Sequence, residues 1–444
     1  MAEFNTIDVS RIIEKQGLSR FLVGLVTLSW LITFLDGLDT NLISFAAPYL
    51  AADYGLDRVQ TGNIFAIHQL GALLGGFLFA YWGDIVGRRP AVILATATFG
   101  FLTMGFYFAD GYRFLLLLRL LDGMPLGGLL PLAWALNIEY APKLYRATIV
   151  TVVMAGYSLG TALGGPMGNW LIPRYGWKSV FLLGGSAALV SSLALLWKLP
   201  ESVRFLISSQ RMDRGRIVHL LRRVAPGYAP PSDATFVLQD EPSVAGSFRP
   251  SWLFKDRLAI VTPLIWLAYI ASSFAVFFIV NWTPIILESL GYTREQAAST
   301  AALNSLLGIV GGLALMRLTD RYGAIAITVM PVACVLLLLL AGTFPMGKSL
   351  FLVLVPMIGF FLIGGHFGMH SICGLFYPSA YRGNGAGWAA SMAKLGSIAG
   401  PLIGGWVLST NLPVRSSFAF LAVCPLVFAI CIYSAGRAAG TVKN

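Results

Sequence analysis

Apolar stretches long enough to cross a bilayer recur from one end of the 444-residue chain to the other, near 20–50, 61–83, 90–109, 113–139, 147–172, 177–199, 258–287, 297–318, 323–343, 349–376, 383–409 and 415–436. A hydrocarbon core takes about 20 helical residues, and inside it each backbone polar group must find its partner within the segment or a closed barrel. Twelve such runs leave one fold class: an all-α integral membrane protein of twelve transmembrane helices. Only 11% of the residues are charged, against about 25% in soluble proteins. The long polar stretch at 200–257, rich in Pro, Gly and Ser, reads as a linker. It separates a six-helix bundle over 20–199 from a second over 258–436, with polar ends at 1–19 and 437–444.

The net charge of +11 would suggest nucleic acid in a soluble protein. Here the basic residues gather on one side. If the N-terminus is cytoplasmic, that face holds Arg11, Lys15, Arg20, Arg88, Arg89, Lys143, Arg146, Arg317, Arg321, Arg382, Arg437, Lys443 and those of the linker, while the other keeps Arg58, Arg113, Arg174, Lys178, Arg294, Lys348 and Arg415. This asymmetry is the positive-inside pattern. It predicts a bacterial inner-membrane protein with both termini cytoplasmic, the lipid bilayer as its surroundings and no nucleic acid partner. No signal peptide is expected; "TIDVSRIIEKQGLSRF" (6–21) reads as a short amphipathic interfacial helix. Cys334, Cys373, Cys424 and Cys431 lie in apolar runs without CxxC spacing and read as small hydrophobes.

Shifted by 236 positions, the chain aligns on itself without a gap. Pro48, Gly55, Arg58 and Gln60 meet Pro284, Gly291, Arg294 and Gln296. Asp84 and Gly87 meet Asp320 and Gly323; Pro142, Tyr145 and Arg146 meet Pro378, Tyr381 and Arg382; Gly160, Gly164, Gly168 and Trp170 meet Gly396, Gly400, Gly404 and Trp406. Two parallel six-helix repeats with a site between them are the sequence counterpart of an alternating-access transporter. A complete two-half pathway in one chain makes a functional monomer sufficient.

Charged residues inside the spans are the second constraint, since a carboxylate at mid-bilayer costs roughly 2.5–3.5 kcal/mol on insertion scales. "FLDGLDTNL" (34–42) carries Asp36 and Asp39 in the first span. Three residues apart, they share a helix face and are expected to point together into the central cavity. Two close carboxylates in low dielectric resist joint ionisation, so the pair can load and release a proton. Arg119 in the fourth span is the partner in the same half; Asp122, three residues on, and Glu139, at the end of that span, are the groups available to neutralise it, in a coupling role or as plain salt bridges. Lys394 is the one basic residue of the eleventh span, and an anionic substrate or a carboxylate of the first half would answer its charge.

His366 and His370 lie one turn apart in the tenth span without a third metal ligand. They read as hydrogen-bonding groups for a substrate or for helix packing, and no metal site is expected. His68 and Asn304 share a repeat position and are both expected to face the cavity. Tyr157, Trp134, Trp282, Phe278 and Trp388 could stack on an aromatic ring or pack against lipid and neighbouring helices. "GDIVGRRP" (83–90) and "TDRYG" (319–323) place Asp84, Arg88, Arg89, Asp320 and Arg321 at short turns, where charge-assisted bonds between helix ends can form in one access state and release in another.

"GDIVGRRP", "RLLDG" (119–123) and "LPESVRFL" (199–206) resemble signatures of the major facilitator superfamily. "FLDGLDT", with "EYAPKLYRATIVTVVMAGYSLGTALGG" (139–165) and "FYPSAYRGNGAGW" (376–388), resembles its aromatic acid:proton symporter family, nearly end to end. The resemblance implies two pseudo-symmetric six-helix bundles and import of small aromatic carboxylates such as hydroxybenzoates with protons. It also ties the acidic pair of the first span and Arg119 to proton coupling. The proton is the coupling ion, and no other cofactor and no catalytic residue is implied. Ala80 and Ile85 depart from the usual loop motif, and Lys394 stands where that family often has Arg. A sugar acid, another organic acid or an exported drug is the alternative cargo.

Overall fold

The computed structural model describes residues 6–208, 214–226, 228, 230–231, 234–238, 250–322, 324–377, 382–410 and 412–438; within its helices the side chains of 147, 316–317, 319–322, 324–326, 370–375 and 382–383 lie outside the description. His370, Asp320 and Arg321 are therefore outside the described side chains. Twelve long helices run in sequence: α1 (Arg20–Tyr54), α2 (Arg58–Val86), α3 (Arg88–Gly105), α4 (Tyr112–Tyr140), α5 (Arg146–Tyr175), α6 (Lys178–Lys198), α7 (Leu258–Ser289), α8 (Arg294–Tyr322), α9 (Ala324–Thr343), α10 (Lys348–Phe376), α11 (Arg382–Ser409) and α12 (Val423–Ala438). Ten spans among the described residues are long and apolar enough to cross a membrane; a further apolar helix, Ile327–Thr343, is shorter. Of the twelve spans expected, α11 is not among these ten, because Lys394, the amide of Asn384 and repeated glycines dilute its apolar content.

Where the sequence supplies a capping side chain it takes up the free N–H groups of the first turn, as Ser19 does at α1, accepting from the Leu22 amide at 3.2 Å. At α2, Asp57 accepts from the Gln60 amide at 2.7 Å while the Gln60 side chain accepts from the Asp57 amide at 3.0 Å. That reciprocal cap fixes the tight turn after Tyr54, helped by Gly55 in the left-handed region at φ 64°.

The pairing of helices repeats between halves. α1 packs on α5 and α2 on α4, as α7 packs on α11 and α8 on α10. The 236-residue register holds at the level of atoms. A Cβ at Gly160 would collide with the Phe34 carbonyl oxygen, and one at Gly396 with that of Ile270, which is Phe34 shifted by the same offset. Only glycine allows two backbones this close.

The halves meet through α2 on α11, α5 on α8 and α1 on α7, on the face away from both chain termini. Gly62 lies against the Pro401 carbonyl, and Gly165 against that of Ala298, the same contact seen from each repeat. The Trp282 indole donates to the Pro401 carbonyl at 3.2 Å and meets the Phe65 ring edge-on. Arg58 donates to the Ser289 hydroxyl at 3.0 Å, while its repeat partner Arg294 lies 4.1 Å over the Tyr49 ring.

On the terminal face the N-terminal segment is not a free interfacial helix. Its residues Thr6–Asp8 form a parallel two-stranded ladder with Thr235–Val237. Val9 and Ile13, on the helix Val9–Lys15, are fully buried in the same apolar cluster as Ile217 and Leu221 of the linker helix Arg214–Val224. The apolar face predicted to meet lipid is covered by the linker.

Candidate functional site

A cavity of about 280 Å³ lies between the halves, on the terminal side of the seal just described. It is lined from six of the spans that carry the sequence's polar residues: Asp36 and Thr40 on α1, His68 and Gln69 on α2, Trp134 on α4, Tyr157, Ser158 and Thr161 on α5, His366 on α10 and Lys394 on α11. Ser273 and Phe277 on α7 and Ser305 on α8 complete the polar and aromatic wall. The small residues that let α1 meet α5, and α7 meet α11, draw these chains inward.

Asp36 and Lys394 face one another closely enough to interact electrostatically. Among the described residues neither has an ion-pair partner at contact distance. Around them, the Thr40 hydroxyl donates to the Asp36 carbonyl at 3.0 Å, and His366 Nδ1 lies 2.9 Å from the Ser272 hydroxyl. Ser272 is the repeat counterpart of Asp36. The cavity thus joins one ammonium, one carboxylate, an indole, the phenols of Tyr157 and Tyr269, two imidazoles and several hydroxyls.

The acidic pair divides between two environments. Asp39 is absent from the cavity wall and buried at 4% exposure, a correction to the expectation that both carboxylates face the cavity. Three residues turn an α-helix by about 300°, so the two side chains diverge by a sixth of a turn. That is enough to send Asp39 behind the wall. There Arg119 Nη1 lies 3.0 Å from Asp39 Oδ2 and 3.0 Å from Asp122 Oδ2. The Thr103 hydroxyl donates to Asp122 Oδ1 at 2.9 Å, and the Phe106 ring lies 5.6 Å from the guanidinium carbon. Two buried carboxylates against one guanidinium leave one surplus negative charge in low dielectric. His68 Nδ1 comes within 3.7 Å of Asp122 Oδ2. The oxygens and nitrogen of Asp39, Asp122 and His68 are close enough for a cation, and the Arg119 guanidinium already supplies that positive charge.

Other expected residues lie elsewhere. Glu139 is not with Arg119: it sits at the end of α4, 3.3 Å from Arg88 Nε. Arg88 also pairs with Asp84 at 3.0 Å, while the Arg89 guanidinium donates to the Leu196 carbonyl at 2.6 Å. The amides of Arg88 and Arg89 both donate to one Glu201 carboxylate oxygen, at 3.0 and 3.2 Å. This network ties the ends of α2, α3, α4 and α6 within the first half. Trp282 is wholly buried in the seal, and Trp388 stacks on Trp266 with centroids 5.9 Å apart and 40% of its surface exposed. Neither lines the cavity. Nor does Asn304, which is packed against Gly359.

Sequence reasoning passed over Thr103, Phe106, Ser272 and Glu201. Glu201 stands in "LPESVRFL" and carried a signal. The other three are ordinary residues of apolar helices until the fold sets them beside a charge.

The Major Facilitator Superfamily model matches residues 29–376. The chain is 30% identical to the gallate transporter of Pseudomonas putida, covering 97% of this chain and 96% of that one. It is 32% identical to the 4-hydroxybenzoate transporter PcaK of Pseudomonas aeruginosa, over 90% of each. Among solved structures, a bacterial homolog of the human lysosomal transporter Spinster superposes with TM-score 0.71 at 15% identity, covering 95% of this chain and 98% of that one. The xylose transporter XylE from E. coli gives 0.70 at 14%, covering 93% and 99%. A family match over most of the sequence, relatives matched nearly end to end and a shared two-bundle fold lead to one conclusion: the chain belongs to the Major Facilitator Superfamily.

Proposed function

We propose that this chain is a secondary active transporter that imports small aromatic carboxylates, hydroxybenzoate-like in size and charge, together with protons by alternating access. The observation that carries the reading is the division of labour around the cavity. A lysine with no contact-distance ion pair among the described residues faces an aromatic-walled space between the halves, and a separate buried cluster with surplus negative charge stands behind it. Lys394 holds the carboxylate of the substrate, Trp134 and Tyr157 bracket its ring, and the hydroxyls with His366 take up ring substituents. Relatives named for gallate and 4-hydroxybenzoate transport support the same cargo.

Asp39, Asp122 and Arg119 take and release the coupling proton in this scheme. Protonation neutralises the cluster, which is the charge state best suited to cross between access states in low dielectric. Asp36 competes with the substrate carboxylate for Lys394 and is displaced or protonated as substrate binds. Opening of the terminal face would engage or release the Asp84–Arg88–Glu139–Glu201 latch, and the distal seal would part in the opposite state. The charge asymmetry supports cytoplasmic termini, and the bacterial sources of the relatives support a bacterial inner membrane; in that orientation the cavity lies on the cytoplasmic side of the seal. One chain holds the whole pathway and acts as a monomer, without catalysis of a covalent step.

Inward proton movement supplies about 2.3 kcal/mol per charge per 100 mV. Labelled 4-hydroxybenzoate should accumulate in energised vesicles holding the protein, and a protonophore should collapse it to equilibrium. Full accumulation after the protonophore would remove proton coupling; thermal stabilisation by aliphatic but not aromatic acids would remove the aromatic cargo.

A further inference from the structure

His68 is the described titratable side chain that belongs to both environments. It lines the cavity, yet its Nδ1 is fully buried, has no hydrogen-bond partner among the described residues and lies 3.7 Å from Asp122 Oδ2. Asp39 and Asp122 are absent from the cavity wall. Its position is fixed by close packing of α2 on α4, where a Cβ at Gly123 would strike the His68 carbonyl oxygen. The gap of 3.7 Å is too long for a hydrogen bond, so proton transfer requires the ring and the carboxylate to approach.

We infer that His68 is the proton gateway between the substrate cavity and the Asp122–Arg119–Asp39 cluster. This rests on the proton-coupled transport proposed above. With Nδ1 turned to Asp122, the gateway needs Nε2 to meet the cavity that the ring lines. In the loading step Nε2 takes a proton from a cavity hydronium and forms an N–H bond. The Nδ1–H bond breaks, and its proton passes to Asp122 Oδ2, whose contact with Arg119 loosens as the carboxylate becomes neutral. One proton enters the ring and one leaves. Reversal of the same steps, or a ring flip, restores the Nδ1–H tautomer. The charges that bias the relay are Arg119 and Asp122 on α4, Asp39 and Asp36 on α1 and Lys394 on α11.

The repeat supplies a control. Asn304 holds the equivalent place on α8, with its carbonyl oxygen against Gly359 as that of His68 is against Gly123. An amide there fills the same packing but does not relay a proton, and the groups across from it are apolar: Val355 and Ile358 stand where the first half has Arg119 and Asp122.

Proteoliposomes loaded with a pH dye and given 4-hydroxybenzoate test the gateway in the wild type, His68→Asn and His68→Gln. Protons entering per substrate entering are measured, beside counterflow of labelled for unlabelled substrate. The expected result is a proton-to-substrate ratio about tenfold lower or less in both variants, with counterflow reduced but measurable. An unchanged ratio in either variant overturns the gateway, as does complete loss of counterflow in both, which would make His68 a binding residue. A wild type that moves substrate without protons would instead sink the symport reading itself, and the gateway with it.

Discussion

The two halves share one backbone plan and differ in where they keep charge. In the first half Asp39, Arg119 and Asp122 form a buried ionic cluster. At the same repeat positions the second half has Ala275, Val355 and Ile358, each fully buried. The reverse holds nearer the cavity: Lys394 belongs to the second half, and Ser158 is its counterpart in the first. Packing residues at helix crossings were retained in both copies because a Cβ there would break the crossing. The buried charges of the spans, which cost several kcal/mol each, stand in one copy only, whereas charges at the helix ends such as Arg58 and Arg294 or Asp84 and Asp320 stand in both. An alternating-access machine needs both halves to rock but only one proton store and one anion site.

That asymmetry can be broken at its most costly point. Arg119→Leu leaves Asp39 and Asp122 buried without their cation, and is expected to destabilise the first half by about 3–5 kcal/mol and to abolish uphill uptake. Melting of the purified protein in detergent and vesicle uptake would read both effects. Val355→Leu, its counterpart in the second half, should cost only the roughly 1–3 kcal/mol of overpacking a buried site and should spare uphill uptake.

Removing the anion site comes next. Lys394→Ala should weaken binding of 4-hydroxybenzoate by about 10–100-fold, the worth of one or two bonds to a charged group, whereas Lys394→Arg should bind within a few-fold of wild type. Isothermal titration would decide it, and undiminished binding by the alanine variant would leave the cavity without its proposed countercharge. The mirrored change Ser158→Ala should cost less than the loss of Lys394.

The aromatic residues sharpen the comparison at smaller amplitude. Trp134→Leu, on the cavity wall, should raise the apparent Km for an aromatic acid several-fold, as expected when about 0.5–1.5 kcal/mol of ring contact is lost. Trp388→Leu, on the outer surface, should leave Km within about twofold, the usual range for a surface change. Equal effects of the two would contradict the placement of the ring between α4 and α5.

The fold was largely legible in the sequence, because span length, the positive-inside bias and a gapless 236-residue repeat are one-dimensional signals with a direct physical cause. The charged members of the site were legible for a similar reason: burying Asp36, Asp39, Arg119 or Lys394 without use is costly. What could not be read was direction. Asp36 and Asp39 share a face at the resolution of helix periodicity, yet a sixth of a turn separates cavity wall from buried cluster. Trp134, Trp282 and Trp388 carry the same side chain into a cavity, a seal and a surface, and nothing in an apolar run distinguishes them. Asn304 inherits the backbone position of His68 but not its surroundings. Glu139 was assigned to the wrong partner because a 29-residue helix carries Arg119 and Glu139 some 30 Å apart at about 1.5 Å per residue.

The central claim is that protons are handled in the first half and the carboxylate in the second, and Asp39→Asn tests it most directly. The substitution leaves Asp122 and Arg119 with no net charge, the state assigned to the protonated cluster. Counterflow and uphill accumulation of 4-hydroxybenzoate should be measured side by side in the same vesicles. The account predicts counterflow that persists and accumulation that falls to the equilibrium level. An Asp39→Asn protein that still concentrates substrate against its gradient would contradict it.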